Sequence, residues 1–288
     1  MTDAARTVLI TGASTGIGYA AAQRLASAGW RVFAGVRKQS DADRVAEIEG
    51  VTPVFVDVTD GESVASGAAA VRDALSGRRL NGLVNNAGVA VAGPLLHLPI
   101  EEMERQLDIN VTGQLRVTQA FVPLMIDGDN PSGTQGRIVN MSSVAGLNAA
   151  PLVTPYACSK FALEAFTQGL RREMALYEID VVAINPGPIA TPIWDKAEEV
   201  DPEQYRKTDY YGAIQRLLAY MLDRGRKGLP PDRVAEAVER ALIDRKPKLN
   251  TIVTPEGFQQ WLLGVLPKRI TDRIITKQLG LTPAALKR

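Results

Sequence analysis

A single cysteine, Cys158, and a single histidine, His97, stand in a chain of 288 residues. One cysteine excludes an intrachain disulfide framework and any cysteine-rich metal site, and it suits a reducing compartment, with the cytoplasm as the default. Cys158 reads as a small packing residue, and His97, between two leucines, as a residue packed in a loop. An excess of charge is missing too: 33 lysines and arginines face 32 acidic residues, so nothing marks a nucleic-acid footprint. No apolar run approaches the roughly 20 residues that span a bilayer, and no basic and apolar leader pattern opens the chain, so a soluble protein is expected. Internal repeats and low-complexity linkers are lacking as well, which makes one domain over 1–288 the simplest organisation.

What the chain does have is alternation. Short β-branched runs recur at TVLI (7–10), RVFAGV (31–36), TPVFV (52–56), LNGLV (80–84), GRIVNM (136–141), IDVVAI (179–184) and NTIVT (250–254), with helical patterns between them. Parallel strands need a helix to return the chain, and their apolar residues at consecutive positions suit a sheet covered on both faces. The fold class is therefore α/β: a doubly wound Rossmann-type sandwich with a seven-stranded parallel sheet. DGDNPSGTQG (127–136) reads as a surface loop before the fifth strand.

The first strand runs into TGASTGIG, a loop of small residues and glycines that opens a helix. Backbone N–H groups and the helix dipole converge there on a spot suited to phosphate. Gly12 permits the turn, Gly16 lets the backbone approach a pyrophosphate, and Gly18 lets the helix lie close to the strand; Ser14 and Ile17 are counted with the same contacts. The spacing fits the general G-x-G-x-x-G fingerprint only loosely, and a glycine turn without a ligand explains such a loop as well. Further on, Tyr156 and Lys160 stand four apart in a helical pattern and share a face. An adjacent ammonium favours the phenolate and would make a phenol of reference pKa near ~10 usable as a base.

Thr11-Gly12-x-x-x-Gly16-Ile17-Gly18, Asn85-Asn86-Ala87-Gly88, Asn110, Ser142-Ser143, Tyr156-x-x-x-Lys160 and Pro186-Gly187, in this order, resemble the single-domain branch of the short-chain dehydrogenase/reductase family. The resemblance covers Thr7 to about Thr254, and YACSKFALEAFTQGLRREM with NPGPIATPI is similar to the hydroxysteroid and retinol dehydrogenase-like members. It implies that Tyr156 exchanges a proton with the substrate oxygen while hydride passes to or from a nicotinamide. Ser143 would hydrogen-bond the same oxygen, Lys160 would hold the nicotinamide ribose, and Asn110 would position a water leading from Lys160 to solvent. Asn86, Ala87 and Gly88 would support the sheet centre and the adenine ribose side; Asn85 and Asn86 are also ordinary turn formers. Pro186, Gly187, Ile189 and Thr191 would run along the nicotinamide. Asp57 and Val58 match an adenine-binding pair, although Asp57 also reads as a local cap near Thr59 and Asp60.

The second strand ends at Val36 with Arg37-Lys38 behind it. A guanidinium in place of a carboxylate favours NADP over NAD, because arginine pairs a phosphate through two hydrogen bonds. Thr15 departs from the family's NADP pattern, which often puts a second basic residue in the glycine loop. Val144, Ala145, Leu147, Val153 and Trp194, with Ser143 and Tyr156, are the candidate substrate walls. A lid over about 188–230, carrying Trp194, Tyr205, Tyr210, Tyr211 and Met221, suggests a small hydrophobic alcohol or carbonyl, unless those residues pack on the core. The extension over about 255–288 is amphipathic and basic; such a helix touches a membrane or a partner in some proteins and is an ordinary surface helix in most, the reading adopted. The resemblance also implies a homodimer or homotetramer, formed through the helices holding Asn110 and Tyr156. The expected activity is NADP-dependent interconversion of a hydrophobic alcohol and its carbonyl. A 3-oxoacyl thioester reductase and a non-catalytic NADP-sensing regulator are the competing readings.

Overall fold

The computed structural model describes residues 6–191, 201–257, 262 and 264–284. Seven strands form one sheet: β1 (Thr7–Ile10), β2 (Arg31–Val36), β3 (Val51–Phe55), β4 (Gly82–Asn85), β5 (Arg137–Met141), β6 (Asp180–Pro186) and β7 (Asn250–Val253). Their order is β3-β2-β1-β4-β5-β6-β7 and every pairing is parallel. β6 runs beyond the sequence pattern to Pro186 because that residue still pairs with Val253 of the edge strand.

Helices α1 (Gly16–Ser27), α2 (Gln39–Ala46), α3 (Gly61–Leu75), α4 (Ile100–Leu107), α5 (Gly113–Ile126), α6 (Thr154–Met174), α7 (Tyr211–Arg226), α8 (Pro231–Ile243) and α9 (Lys268–Leu279) accompany the sheet, with short 3₁₀ and π-helical turns between elements. Alternation along each strand sends neighbours to opposite faces. Val8 and Ile10 thus enter one core with Val32, Ala34, α1 and α8, whereas Leu9 enters the other with Phe33, Leu83, α3 and α5. Arg24 of α1 ties the first layer together, donating from Nε to Glu239 of α8 at 2.5 Å. A third, smaller core lies outside the sandwich. It joins Leu152, Tyr205, the α7 residues Ala213, Ile214, Leu217 and Leu218, and Leu279 at the end of α9.

Tyr205, Tyr210 and Met221 all belong to or pack on this third core, which accounts for three of the aromatic and apolar residues expected in the lid. Trp194 lies outside the described residues. His97 meets the Tyr210 ring edge-on at 5.8 Å, as a packing residue does. Among the described residues no helix is long and apolar enough to cross a membrane.

Candidate active site

β1 pairs with β2 on one side and β4 on the other, so the chain's progress across the sheet reverses between β1 and β4. In open α/β sheets the crevice beyond the carboxyl ends of the strands at such a reversal is where ligands bind. The quoted motifs leave the sheet there: the glycine loop from β1, Arg37 from β2, Asp57 just past β3, Asn86 from β4, Ser142 from β5 and Gly187 from β6.

The glycine loop is built for close approach. Gly12 has a φ of +61°, and a Cβ on it would stand 2.9 Å from the Ala87 backbone. On Gly18 a Cβ would lie 2.3 Å from the Gly12 carbonyl oxygen and 2.6 Å from Asn86 Nδ2. Gly16, φ +57°, would press its Cβ on the Thr191 side chain at 3.2 Å, which places the segment after β6 over the loop. Thr15, preceding α1, makes no side-chain cap and the first turn holds no acid, so the helix's N-terminal donors remain available to an anion. Small residues and an uncapped helix start fit a dinucleotide pyrophosphate.

Asn86 braces this cradle. Its Nδ2 donates to the carbonyls of Thr11 (2.9 Å) and Gly12 (3.0 Å), while Thr11 Oγ1 accepts from the backbone N–H of Asn86 and Ala87. The Asn86 amide thus holds the loop that the segment was expected to support. Asn85 is fully buried and donates to Thr118 and Asn140 in the sheet centre. Ile17 packs against the first core.

At the adenine end, Arg37 Nη1 lies 3.9 Å from Asp57 Oδ2, with much of the arginine exposed. Asp57 Oδ1 accepts from Thr59 N and Oγ1 at 3.0 and 2.7 Å; burial pushes its carboxyl up, but these two bonds and Arg37 hold it below the ordinary value. The cap of α3 is Asp60, not Asp57. Val58 is buried against Gly113. Two residues that spacing alone did not single out join this end. Gly35 lets β2 pass close to β1, since a Cβ there would meet the Ile10 carbonyl at 3.1 Å. Arg44, from α2, donates to the Ser14 carbonyl in the glycine loop at 2.7 Å and pairs with Asp41 at 2.6 Å. The signal for Gly35 was a glycine inside a strand pattern; for Arg44 the sequence offered none.

Tyr156, Ser143 and Lys160 come together at the carboxyl end of β5. Ser143 caps the short 3₁₀ turn Val144–Gly146, accepting from Ala145 N at 3.1 Å, and its hydroxyl approaches the Pro186 carbonyl at 3.4 Å. Lys160 is buried, its ammonium 5.6 Å from the Tyr156 ring centroid and donating to the Met141 carbonyl at 2.7 Å. Burial pushes the Tyr156 phenol up, and a hydrogen bond with Ser143 pulls the other way. Lys160 was expected to depress that phenol; in the free chain burial wins, because the ammonium is directed at Met141. Burial lowers Lys160 itself from 10.5 to about 8, with Glu164 acting in the opposite sense.

Asn110 sits in a π-helical turn, Asp108–Thr112, between α4 and α5. Its Oδ1 accepts from Val89 N at 2.9 Å, and its Nδ2 donates to Val89 O at 3.0 Å and Ser159 Oγ at 3.1 Å. Gly88 makes room for it, as a Cβ there would stand 3.3 Å from Asn110 Oδ1. Gly187 accommodates Thr254, the residue after β7, whose hydroxyl a Cβ would meet at 2.4 Å. Ile189 is buried in the first core, and the strand-like bridge from it to Leu229 pins the segment after β6. Of the substrate walls, Ala145 and Val153 are half-buried and Leu147 is exposed. The loop after β4 docks through Gly93 N on the Leu152 carbonyl at 2.7 Å and carries the exposed Leu95 and Leu96.

Fold and site define a dinucleotide-binding α/β protein with a tyrosine, a serine and a lysine gathered beside the cofactor crevice. Residues 6–201 match the short chain dehydrogenase family, and the chain belongs to it, as an oxidoreductase. It is 36% identical over 95% of its length to an NADPH-dependent 3-dehydrocapnine reductase of Ornithobacterium rhinotracheale, covering 97% of that protein. It is 30% identical over 93% of its length to retinol dehydrogenase 5 of Mus musculus, covering 87% of that protein. Among solved structures, a Burkholderia cenocepacia short chain dehydrogenase in complex with NADP superposes with a TM-score of 0.70 at 26% identity, over 98% of this chain and all of that one. A Burkholderia phymatum relative in complex with NAD gives 0.75 at 27%, over 91% and 94% of the two chains.

Proposed function

We propose that this oxidoreductase uses NADPH to reduce the carbonyl of a small hydrophobic substrate to the alcohol, with Tyr156 as proton donor. The observation that carries this is the gathering of Tyr156, Ser143 and Lys160 at one end of the sheet, the Lys160 ammonium 5.6 Å from the Tyr156 ring and the phenol pushed above its ordinary value by burial. A protonated phenol is the form that reduction requires, since the developing alkoxide must take a proton in the transition state. NADPH, held along the glycine cradle, supplies the hydride. Ser143 orients the carbonyl oxygen towards the phenol. Lys160 offers its ammonium to the nicotinamide ribose and stabilises charge as the Tyr156 proton leaves. Gly12, Ser14, Gly16, Ile17 and Gly18 hold the pyrophosphate, and Asn86, Ala87 and Gly88 keep that loop in place. Pro186, Gly187, Ile189 and Thr191 line the nicotinamide side. Asn110 anchors the Val89 loop and Ser159 behind Lys160, and so fixes the inner wall of the proton path.

Cofactor choice rests on three cations. Arg37 and Lys38 follow β2, and Arg44 reaches the glycine loop from α2 with part of its donor set unused. Arg44 supplies from a helix the second charge that Thr15 does not supply from the loop. Asp57 and Val58 border the adenine. The relative named as an NADPH-dependent reductase supports the same cofactor and the same direction. Ala145, Leu147 and Val153, in the turn after Ser143 and just before Tyr156, are the apolar side chains read as the substrate wall, which favours a hydrophobic carbonyl. Assembly into a homodimer or homotetramer is read from the exposed Leu115 and Phe161 on α5 and α6. The test is turnover of a panel of aliphatic and aryl ketones and aldehydes with NADPH, followed by cofactor absorbance. Wild type reduces apolar members, Tyr156→Phe falls by at least about 100-fold, and its NADPH affinity is unchanged; equal turnover by Tyr156→Phe overturns the reading.

A further inference from the structure

Three charged side chains are buried among the described residues: Arg137, Lys160 and Glu164. Arg137 pairs with Asp180 at the amino end of the sheet, away from the crevice. Lys160 belongs to the site. Glu164 is the one buried carboxylate among the described residues, at 7% exposure, and the catalytic reading leaves it without a task. A carboxylate is retained in such a place only where its lone pairs are met and its charge is balanced.

Two amides meet the lone pairs, and the opposite charge that acts with the carboxylate is Lys160, without a direct ion pair. Glu164 Oε1 accepts from Asn185 Nδ2 at 2.6 Å, and Oε2 accepts from Asn250 Nδ2 at 3.1 Å. The same Asn185 amide donates to the Ser143 carbonyl at 3.2 Å. Asn185 stands in β6, directly before the Pro186 whose carbonyl faces the Ser143 hydroxyl. Within α6, Glu164 follows Lys160 by four residues, on the same face of the helix. One carboxylate is thus joined to two members of the site by separate routes: to Ser143 through Asn185, and to Lys160 along the helix.

We propose that Glu164 is a positioning residue for the reaction: it fixes the Ser143 turn through Asn185 and keeps the Lys160 ammonium charged inside the protein. This rests on the assignment of Ser143 and Lys160 made above. The elements packed on α6 present neutral groups here: Asn140 from β5, Asn185 from β6, Asn250 from β7, Gln106 from α4 and Asn110 from the π-helical turn. Asp108, in that turn, is directed at Arg116. On α6 itself the titratable and charged groups besides Glu164 are Tyr156, Cys158 and Lys160 towards its start and Arg171, Arg172 and Glu173 in its last turn, and Glu164 is the charge that acts on Lys160. Both neighbours of the carboxylate are donors, so a glutamine at 164 must turn an N–H₂ towards one of two N–H₂ groups and weakens the hold on Asn185 as well as removing the charge.

The experiment compares wild type, Glu164→Gln and Glu164→Asp. Lysines are labelled with ¹⁵N at the ε position, the Lys160 signal is assigned by its loss in Lys160→Met, and its titration is followed by NMR. In Glu164→Gln the Lys160 midpoint falls by about one pH unit; Glu164→Asp, which keeps the charge, returns most of it and serves as the readout should the glutamine variant not fold. Reduction of phenanthrenequinone, a flat apolar dicarbonyl, by NADPH gives the second measurement: kcat in Glu164→Gln falls about tenfold, with the KM for NADPH unchanged, as misplacement of an orienting group requires. A Lys160 midpoint the same in all three proteins, or an unchanged kcat, overturns the proposal. Tyr156→Phe, run alongside, separates the two claims: full turnover by that variant sinks the proposed function, whereas the Lys160 titration reports on Glu164 regardless.

Discussion

Gly18 is the residue at which the cofactor cradle tolerates least. A methyl group there meets the Gly12 carbonyl and the Asn86 amide, both of which are held by further hydrogen bonds, so neither can yield cheaply. Gly18→Ala is expected to weaken NADPH binding at least tenfold by calorimetry and to cost about 1–3 kcal/mol of stability. Lys160 carries a different signature. Its folded pKa of about 8 lies below the ordinary 10.5, so between those values the unfolded chain binds the proton that the native protein has released. Stability attributable to Lys160 therefore rises with pH across that window and is absent below it, by up to about 3 kcal/mol. Urea unfolding of wild type against Lys160→Met, from pH 7 to 10.5, should show the wild type gaining on the variant as the pH climbs. A flat difference would mean that the ammonium is not buried as described. The Tyr156–Lys160 pairing was readable from a spacing of four because a helix fixes which residues share a face. Where the Lys160 ammonium points was not, since Met141 is its neighbour only through the sheet. Glu164 and Asn185 lay in plain view inside quoted segments; nothing in one dimension says that β6 and α6 bring them together.

At the scale of the element, α2 is the clearest case of function that spacing conceals. It follows the strand whose end selects the cofactor, and its Arg44 turns back to the glycine loop instead of out to solvent. Arg37→Ala and Arg44→Ala should each weaken NADPH by about tenfold while leaving NADH unchanged, and NADH affinity falling equally would locate their role elsewhere. The strands were legible because four to seven apolar or β-branched residues between helices have few other uses. The region from α7 onward was less so. Its aromatics suit a substrate lid and a packed core alike, and the core that holds Tyr205 includes Leu279, some seventy residues later. Leu279→Ala should loosen α9 from α7 by about 2 kcal/mol and raise hydrogen exchange across Tyr211–Arg226, leaving β1 and β4 as protected as before.

For the whole molecule, the sheet order places the phosphate cradle at the centre and leaves β7 as a short edge. The exposed Phe161 lies on α6, which carries Tyr156 and Lys160, and Leu115 on α5, just after the turn that holds Asn110, so assembly through them would stiffen the crevice from behind. Sedimentation of Phe161→Arg against wild type should show a smaller species; identical profiles would place any interface on another face. Sequence order has a consequence for synthesis. Helix α1, which begins in the phosphate loop, is covered by α8, and Arg24 finds Glu239 more than two hundred residues downstream. A ribosome-bound fragment that has emerged as far as Asn185 contains the tyrosine, the lysine and every glycine of the cradle, yet its first helix still shows water the face that α8 will cover. Competence to grip a nucleotide should therefore arrive late and abruptly, when the last quarter of the polypeptide clears the exit tunnel.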